Sequence, residues 1–162
     1  MSLTYKYHKA QAIISGLNAE ELRALRVICD KIQQAEKQLK SVAKDAFTYC
    51  YNRCQGLCCR NIQPDTILTL QDFIYALALD SSLGEKIEKY LKNESLYTSN
   101  CIFLANGEGP CLFSPYLMPE TCINSFCSDH PGVNREIRHV RSRFSQLARF
   151  IRWRAVRRFF RL

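Results

Sequence analysis

The stretch from Cys50 to Cys59 constrains this chain more than any other, because it places four thiols within ten residues. Eight of the nine cysteines fall into two sets, which are the candidate metal ligands: Cys50, Cys54, Cys58 and Cys59, and then Cys101, Cys111, Cys122 and Cys127. Thiolate is the softest ligand that a protein offers, so thiols at this density indicate either cross-links or a soft metal. Adjacent cysteines such as Cys58 and Cys59 seldom bond each other, because the ring that they would close is strained. We therefore interpret the stretch as a metal-binding loop.

The alternative to a metal site is a framework of disulfide bonds, and the sequence weighs against it. The N-terminus carries positive charge but lacks the apolar core of a secretory signal. No run approaches the roughly 20 apolar residues that span a bilayer. We therefore expect a cytoplasmic protein without a transmembrane segment, in a reducing compartment where structural disulfides are unusual. The cysteine count agrees, since an odd number cannot be fully paired.

Length and composition predict a single domain that spans residues 1–162. The length is typical of one domain, and a hydrophobic share of 47% is ordinary for a folded protein. The charge is distributed unevenly. Residues 129–162 contain ten Arg against Asp129 and Glu136, which accounts for the whole net charge of +8. The cysteine-bearing body is therefore neutral and the C-terminal segment is cationic.

The clearest periodic signal lies in residues 18–49, which we predict to form one long helix. Asn18 is a typical N-cap, and the acidic residues after it suit a first helical turn. Apolar side chains then recur in two lines at seven-residue spacing. These lines are Leu25, Ile32, Leu39 and Ala46, and Ile28, Ala35, Val42 and Tyr49. Cys29 lies one position beside them, and we interpret it as a small buried side chain rather than a ligand.

Residues 50–132 form the cysteine-cluster region, in which the pattern predicts two short helices. The first opens at Thr69, which has the spacing of a capping box with Asp72, and the second covers residues 82–93. Residues 94–132 lack periodicity apart from a short strand predicted at 101–104. An irregular segment of this length is uncommon in a compact domain unless something else orders it. Metal ligation is the expected cause of order.

Residues 133–160 have the pattern of a basic amphipathic helix. Its apolar residues recur at steps of four and three: Val133, Ile137, Val140, Phe144, Leu147 and Ile151. Because this stripe matches the seam of the N-terminal helix, we predict that the two helices pack as an antiparallel pair. The predicted fold class is mainly α, with long N- and C-terminal helices packed together and an irregular cysteine-rich metal-binding lobe.

The spacing of the cysteines does not choose the metal. Zinc takes four thiolates in a tetrahedron, and iron–sulfur clusters are also held by cysteine. Eight thiols suffice for one four-ligand site, for two mononuclear sites or for a cluster. The expected cofactor is therefore zinc or iron, and an iron–sulfur cluster is one form that the iron would take.

The order of the motifs resembles the YkgJ-type cysteine-cluster family, a zinc- or iron-chelating domain known for its CxxCxxCC motif. The resemblance covers residues 50–127 and rests on the first cysteine run, on Cys101-Ile-Phe-Leu, on Gly109-Pro-Cys111 and on Met118-Pro-Glu-Thr-Cys122. Both gaps of the first run are one residue longer than in the family, and Met118 stands where the family has arginine. The resemblance implies metal chelation by the family-matched cysteines, to which Cys127 is an addition. Some flagellin-lysine methylating proteins carry a similar cluster, which implies a methyltransferase-linked role as an alternative.

Three functions are therefore open. The first is a metal-binding protein whose centre has a structural or redox role. The second is a metal-dependent enzyme or a methyltransferase-linked accessory protein, although the chain has no glycine-rich phosphate loop, nucleophile elbow or His–Glu metalloprotease pair. The third is an adaptor in which residues 133–161 bind an anionic partner, namely an acidic protein, a nucleic acid or a membrane surface.

Overall fold

The computed structural model describes residues 1–52, 59, 62–92, 100–105, 111–113, 117–125 and 132–160, without the side chains of 49–52 and 159. These residues form eight α-helices: α1 (Leu3–Ser15), α2 (Ala19–Val42), α3 (Lys44–Asn52), α4 (Pro64–Ile67), α5 (Leu70–Leu79), α6 (Leu83–Lys92), α7 (Glu120–Asn124) and α8 (Val133–Phe160). Within the same ranges, β-structure is limited to one antiparallel bridge between Leu104 and Cys111, where a short strand was predicted. The predicted mainly helical class is confirmed.

Helices α2 and α8 pack together, as their apolar stripes predict. Their shared core contains the buried seam residues of α2 and α8: Leu25, Ile32, Ala35, Leu39, Val140, Phe144 and Leu147. The pair is antiparallel, since Arg154 near the end of α8 lies 3.5 Å from Glu21 at the start of α2. Burial of each large apolar side chain stabilises the pair by about 1.5–3 kcal/mol.

Helix α2 begins as predicted but ends earlier. The Asn18 side chain accepts a hydrogen bond from the Glu21 N–H at 2.8 Å, and the Glu21 carboxylate accepts one from the Asn18 N–H. The predicted continuous helix over residues 18–49 is instead interrupted at Ala43, which has φ −104° and ψ 29°. The apolar period runs on through this residue because Ala43 is itself fully buried. The apolar period shows which side chains face the core, but it does not reveal that the helix is interrupted at a single residue.

Helix α1 was not predicted, because a lysine interrupts its apolar stripe. Leu3, Tyr7 and Ala10 are buried on one face, and α1 packs against α5. Lys6 lies on the same face and is also buried. Its ammonium donates to the backbone oxygens of Leu68, at 2.7 Å, and of Asp65, so its charge is hydrogen-bonded inside the fold. This face of α1 is therefore buried although it includes a charged residue.

Helix α5 occupies the centre of the fold and contacts α1, α2, α6 and α8. Residues Phe73 to Ala76 are all buried, which is the pattern of a helix surrounded on several sides. The predicted second short helix is α6, and its apolar residues Leu83, Ile87 and Leu91 are buried. No helix in the described part of the chain combines the length and hydropathy that a membrane span requires.

Candidate metal centre

The structure describes the side chains of half of the predicted metal ligands. None of these four forms a disulfide bond: Cys59, Cys101, Cys111 and Cys122. Cys50 lies in α3, but its side chain is not described. The other three predicted ligands lie outside the described residues: Cys54, Cys58 and Cys127. Cys29 is free and fully buried in the helical core, as its predicted structural role requires.

The two cysteine sets of the sequence meet in the folded chain. The backbone N–H of Cys101 donates a hydrogen bond to the carbonyl oxygen of Cys59 at 2.7 Å. The thiols of Cys59, Cys101 and Cys111 all lie within electrostatic range of the Cys122 thiol. Three separate segments of the chain therefore bring four thiols into one neighbourhood, beside the fully buried carboxyl group of Asp72.

Two of the thiols are presented by the same local structure. The N–H of Phe103 donates to the sulfur of Cys101, and the N–H of Phe113 donates to the sulfur of Cys111. The two phenyl rings are buried and pack edge to face, with their centroids 5.0 Å apart. Each Cys-x-Phe turn thus has its ring anchored in the core and its sulfur bonded to a backbone donor. A donated N–H favours the thiolate form that a metal requires.

Burial opposes ionisation of these thiols. It raises the pKa of Cys111 to about 11, and the neighbouring Cys101 raises that pKa further. The pKa of Cys101 is raised by burial as well. Burial is also the largest cause of the raised pKa of Cys122, followed by the charges of Cys111 and Asp72. Burial therefore favours the neutral form of Cys101, Cys111 and Cys122, whereas a bound metal ion deprotonates its thiol ligands.

Asp72 fixes the helix that carries Cys122. Its Oδ2 accepts hydrogen bonds of 2.7 Å from both the backbone N–H and the hydroxyl of Thr69, which completes the predicted capping box of α5. Its Oδ1 accepts a hydrogen bond of 2.8 Å from the N–H of Glu120, at the start of α7. Burial raises the pKa of Asp72, and these hydrogen bonds oppose the rise. Asp72 thereby positions Cys122 by joining α5 to α7, a role that its capping spacing alone does not reveal.

Glu36 is a second buried carboxyl group that the sequence did not single out. Its Oε2 lies 3.9 Å from the ammonium of Lys40 and accepts a weak hydrogen bond of 3.4 Å from the N–H of Met118. Tyr75 of α5 is also hydrogen-bonded to it. Glu36 therefore links α2 to α5 and to the segment that leads into α7. One signal was present in the sequence, because Glu36 lies seven residues from both Cys29 and Ala43 on a line that proves to be buried.

Burial raises the pKa of Glu36 to about 8, and the opposing charge of Lys40 limits the rise. Burial also lowers the pKa of Lys40, while the carboxyl of Glu36 opposes that shift. Both shifts have the direction expected for charges removed from water, since burial disfavours the charged form of each group.

The donor types in the cluster fit zinc or iron. Three thiols lie within electrostatic range of the Cys122 thiol, and soft sulfur donors select these metals over hard cations such as magnesium. The two carboxylate oxygens of Asp72 accept hydrogen bonds that join α5 to α7. Among the residues with described positions, no three His, Cys, Asp or Glu side chains have the geometry of an assembled metal site. The described residues therefore provide thiols but not a complete coordination shell.

No family model matches this chain, and no curated protein or solved structure matches it either. The resemblance to the YkgJ-type family remains a prediction from the motifs.

Proposed function

We propose that this protein binds zinc or iron through its cysteine cluster, as its resemblance to the YkgJ-type family implies. The supporting observation is the neighbourhood of Cys59, Cys101, Cys111 and Cys122, which come from three separate segments. The remaining predicted ligands complete the donor set: Cys50, Cys54, Cys58 and Cys127. In this proposal the protein works in the reducing cytoplasm, where the thiols stay available for metal.

The metal has a structural or redox role in this proposal. A structural zinc contributes about 10–16 kcal/mol of apparent binding free energy in small domains. A whole domain is stable by only about 5–15 kcal/mol. Metal binding of that strength decides whether the segments around the cysteines fold. The packed pair of α2 and α8 does not depend on it, because its core is made of apolar side chains.

The test is a metal analysis of protein purified without oxygen. We expect about stoichiometric zinc or iron. Iron with equimolar acid-labile sulfide and visible absorption identifies a cluster, whereas zinc without colour identifies a mononuclear site. Cys101→Ser and Cys122→Ser should each lower the metal content. The matched control is Cys29→Ala, which also removes a buried thiol but should keep the metal, because Cys29 lies in the helical core.

Two results would overturn the proposal. One is a protein that contains no transition metal and whose cysteine-bearing segments are nevertheless fully protected in hydrogen exchange. The other is unchanged metal content in both serine variants, since it would place the metal on other groups.

The second function that we propose is the binding of an anionic partner through residues 133–161. The observation that favours it is a set of exposed arginines on α8, among them Arg149, Arg152 and Arg157. Binding to heparin should weaken steeply as salt increases, because each neutralised phosphate or sulfate releases counterions. Arg152→Gln with Arg157→Gln should weaken this binding more than the same change at Arg135 and Arg138. Equal effects of the two pairs would contradict a site at the C-terminal end.

A further inference from the structure

The C-terminal end of α8 carries an exposed apolar stripe. Trp153, Val156 and Phe160 are 50%, 53% and 80% exposed. Their spacing of three and four residues places them on one face of the helix. The other strongly exposed large apolar residues in the described ranges are Met1, Tyr5 and Val27, and none of these is on α8. Single exposed apolar residues are ordinary, whereas a continuous stripe marks an interaction site.

The opposite side of the same helix is fastened to the body of the protein. Arg154 is buried, lies 3.5 Å from the Glu21 carboxylate and donates a hydrogen bond to the carbonyl oxygen of Gly16. Arg158 donates to the same oxygen at 3.0 Å. A Cβ atom at Gly16 would lie 2.9 Å from an Arg158 nitrogen, so any larger residue there would shift the end of this side chain. The two arginines hold the end of α8 in place, and the apolar stripe consequently faces outward.

Positive charge flanks the stripe. Arg149, Arg152 and Arg157 are exposed, and residues 149–160 contain no acidic side chain. The Arg157 guanidinium stacks on the Trp153 ring, 4.0 Å from its centroid. The outer face therefore combines an apolar centre with a cationic border. A helix with Trp and Phe on one face and arginine around it is the type that lies in the interface of an anionic membrane.

We propose that the outer face of residues 149–160 docks on an anionic lipid bilayer, with this part of α8 lying in the headgroup layer. The inference rests on the second proposed function and names its partner. A bilayer satisfies both halves of the face, because anionic headgroups attract the arginines and the acyl boundary takes up Trp153, Val156 and Phe160. A nucleic-acid duplex would neutralise the arginines but leave Val156 in water. A second copy of the chain would bring cationic borders together.

The test uses the full chain and two kinds of vesicle, one of phosphatidylcholine alone and one of phosphatidylcholine mixed with phosphatidylglycerol. Trp153 is the only tryptophan, so fluorescence reports directly on this face. We expect the protein to sediment with the anionic vesicles, its emission to shift to the blue, and neither effect with the neutral vesicles. Circular dichroism of every variant verifies that it is folded.

Two pairs of variants separate the contributions of charge and apolar surface. Arg152→Gln with Arg157→Gln should weaken sedimentation about 30-fold, since each arginine contributes about 1 kcal/mol near an anionic surface and 1.4 kcal/mol is a factor of ten. The charge-matched control, Arg135→Gln with Arg138→Gln at the other end of α8, should weaken it far less.

The apolar pair is Val156→Gln with Phe160→Gln, which keeps Trp153 as the reporter. It should abolish the blue shift and leave only weak binding that salt removes. The control Val27→Gln removes one exposed apolar side chain from α2 and should keep the blue shift. Equal loss in this control would overturn the inference.

The remaining outcomes decide between partners. Failure to bind anionic vesicles at low salt, together with salt-dependent binding to heparin or duplex RNA, overturns the lipid inference and leaves the anionic-partner function standing. Failure to bind any of them overturns both. A dimer in solution that Val156→Gln with Phe160→Gln disrupts would assign the face to a second copy and overturn the lipid inference.

Discussion

Replacing the buried Glu36 by glutamine is expected to remove a pH-dependent cost from the stability of the fold. Glu36 is fully buried between α2, α5 and the segment at Met118. Burial raises its pKa from 4.5 to about 8. Between these two values the unfolded chain releases a proton from Glu36 while the folded chain keeps it. The unfolded state therefore binds fewer protons, and the free energy of unfolding falls as pH rises through this window.

The magnitude follows from the size of the shift. Each pH unit inside the window costs about 1.4 kcal/mol, so raising pH from about 5 to about 7 should lower the free energy of unfolding by about 2.5 kcal/mol through this group. For a domain of this size, 1 kcal/mol moves Tm by about 2–4 °C. The contribution of Glu36 to the change in Tm is therefore about 5–10 °C. Glutamine does not titrate, and it keeps an oxygen that accepts from Met118 and Tyr75.

The assay is thermal or urea unfolding of the wild type and of Glu36→Gln between pH 5 and pH 8. The difference between the two proteins isolates this group, because every other carboxyl is common to both. Glu21 contributes in the opposite sense, since its pKa is lowered chiefly by the hydrogen bond from the Asn18 N–H. The matched control is Glu20→Gln, an exposed carboxyl on the same helix. Parallel stability curves for wild type and Glu36→Gln would show that Glu36 is ionised in the folded protein and would refute the reasoning.

Three further substitutions test the packing around the candidate site. Asp72→Ala should lower the free energy of unfolding by about 2–3 kcal/mol, because the backbone donors of Thr69 and Glu120 lose their acceptor. It should also weaken metal retention in a chelator competition. Unchanged metal retention would contradict the positioning role of Asp72. Ile32→Ala should cost about 2–5 kcal/mol in urea unfolding, whereas exposed Val27→Ala should change stability by less than about 0.5 kcal/mol. Arg154→Ala should cost about 1.5–3 kcal/mol and loosen the end of α8 in hydrogen exchange, and an equal cost in Arg152→Ala would contradict the anchoring contact.

Periodic apolar residues were a sufficient signal for the long helices. The predicted range of residues 133–160 coincides with α8, and the seam residues of α2 are buried as expected. When apolar residues repeat over many helical turns, few arrangements of the chain can bury all of them. The apolar period did not predict α1, because the charged side chain of Lys6 lies on the buried face of that helix. It also missed α7, because five residues are too few to display a period.

The cysteines could be identified as candidate ligands from their density alone, but their neighbours could not. The sequence has Cys59 far from Cys101, and the hydrogen bond between their backbones depends on the path of the whole chain. Asp72 was predicted as the capping-box partner of Thr69, which is a local property. Its second hydrogen bond, to Glu120, requires α7 to be placed beside α5.

By itself the sequence determined the helical class, the pairing of the two long helices and the supply of thiols, since each depends on residue type and spacing along the chain. Tertiary structure alone decided that Glu36 and Asp72 are buried, which thiols are neighbours and which face of α8 stays in water. The physical reason is that burial and proximity are properties of several segments packed at once. No single segment carries the information about what will lie against it.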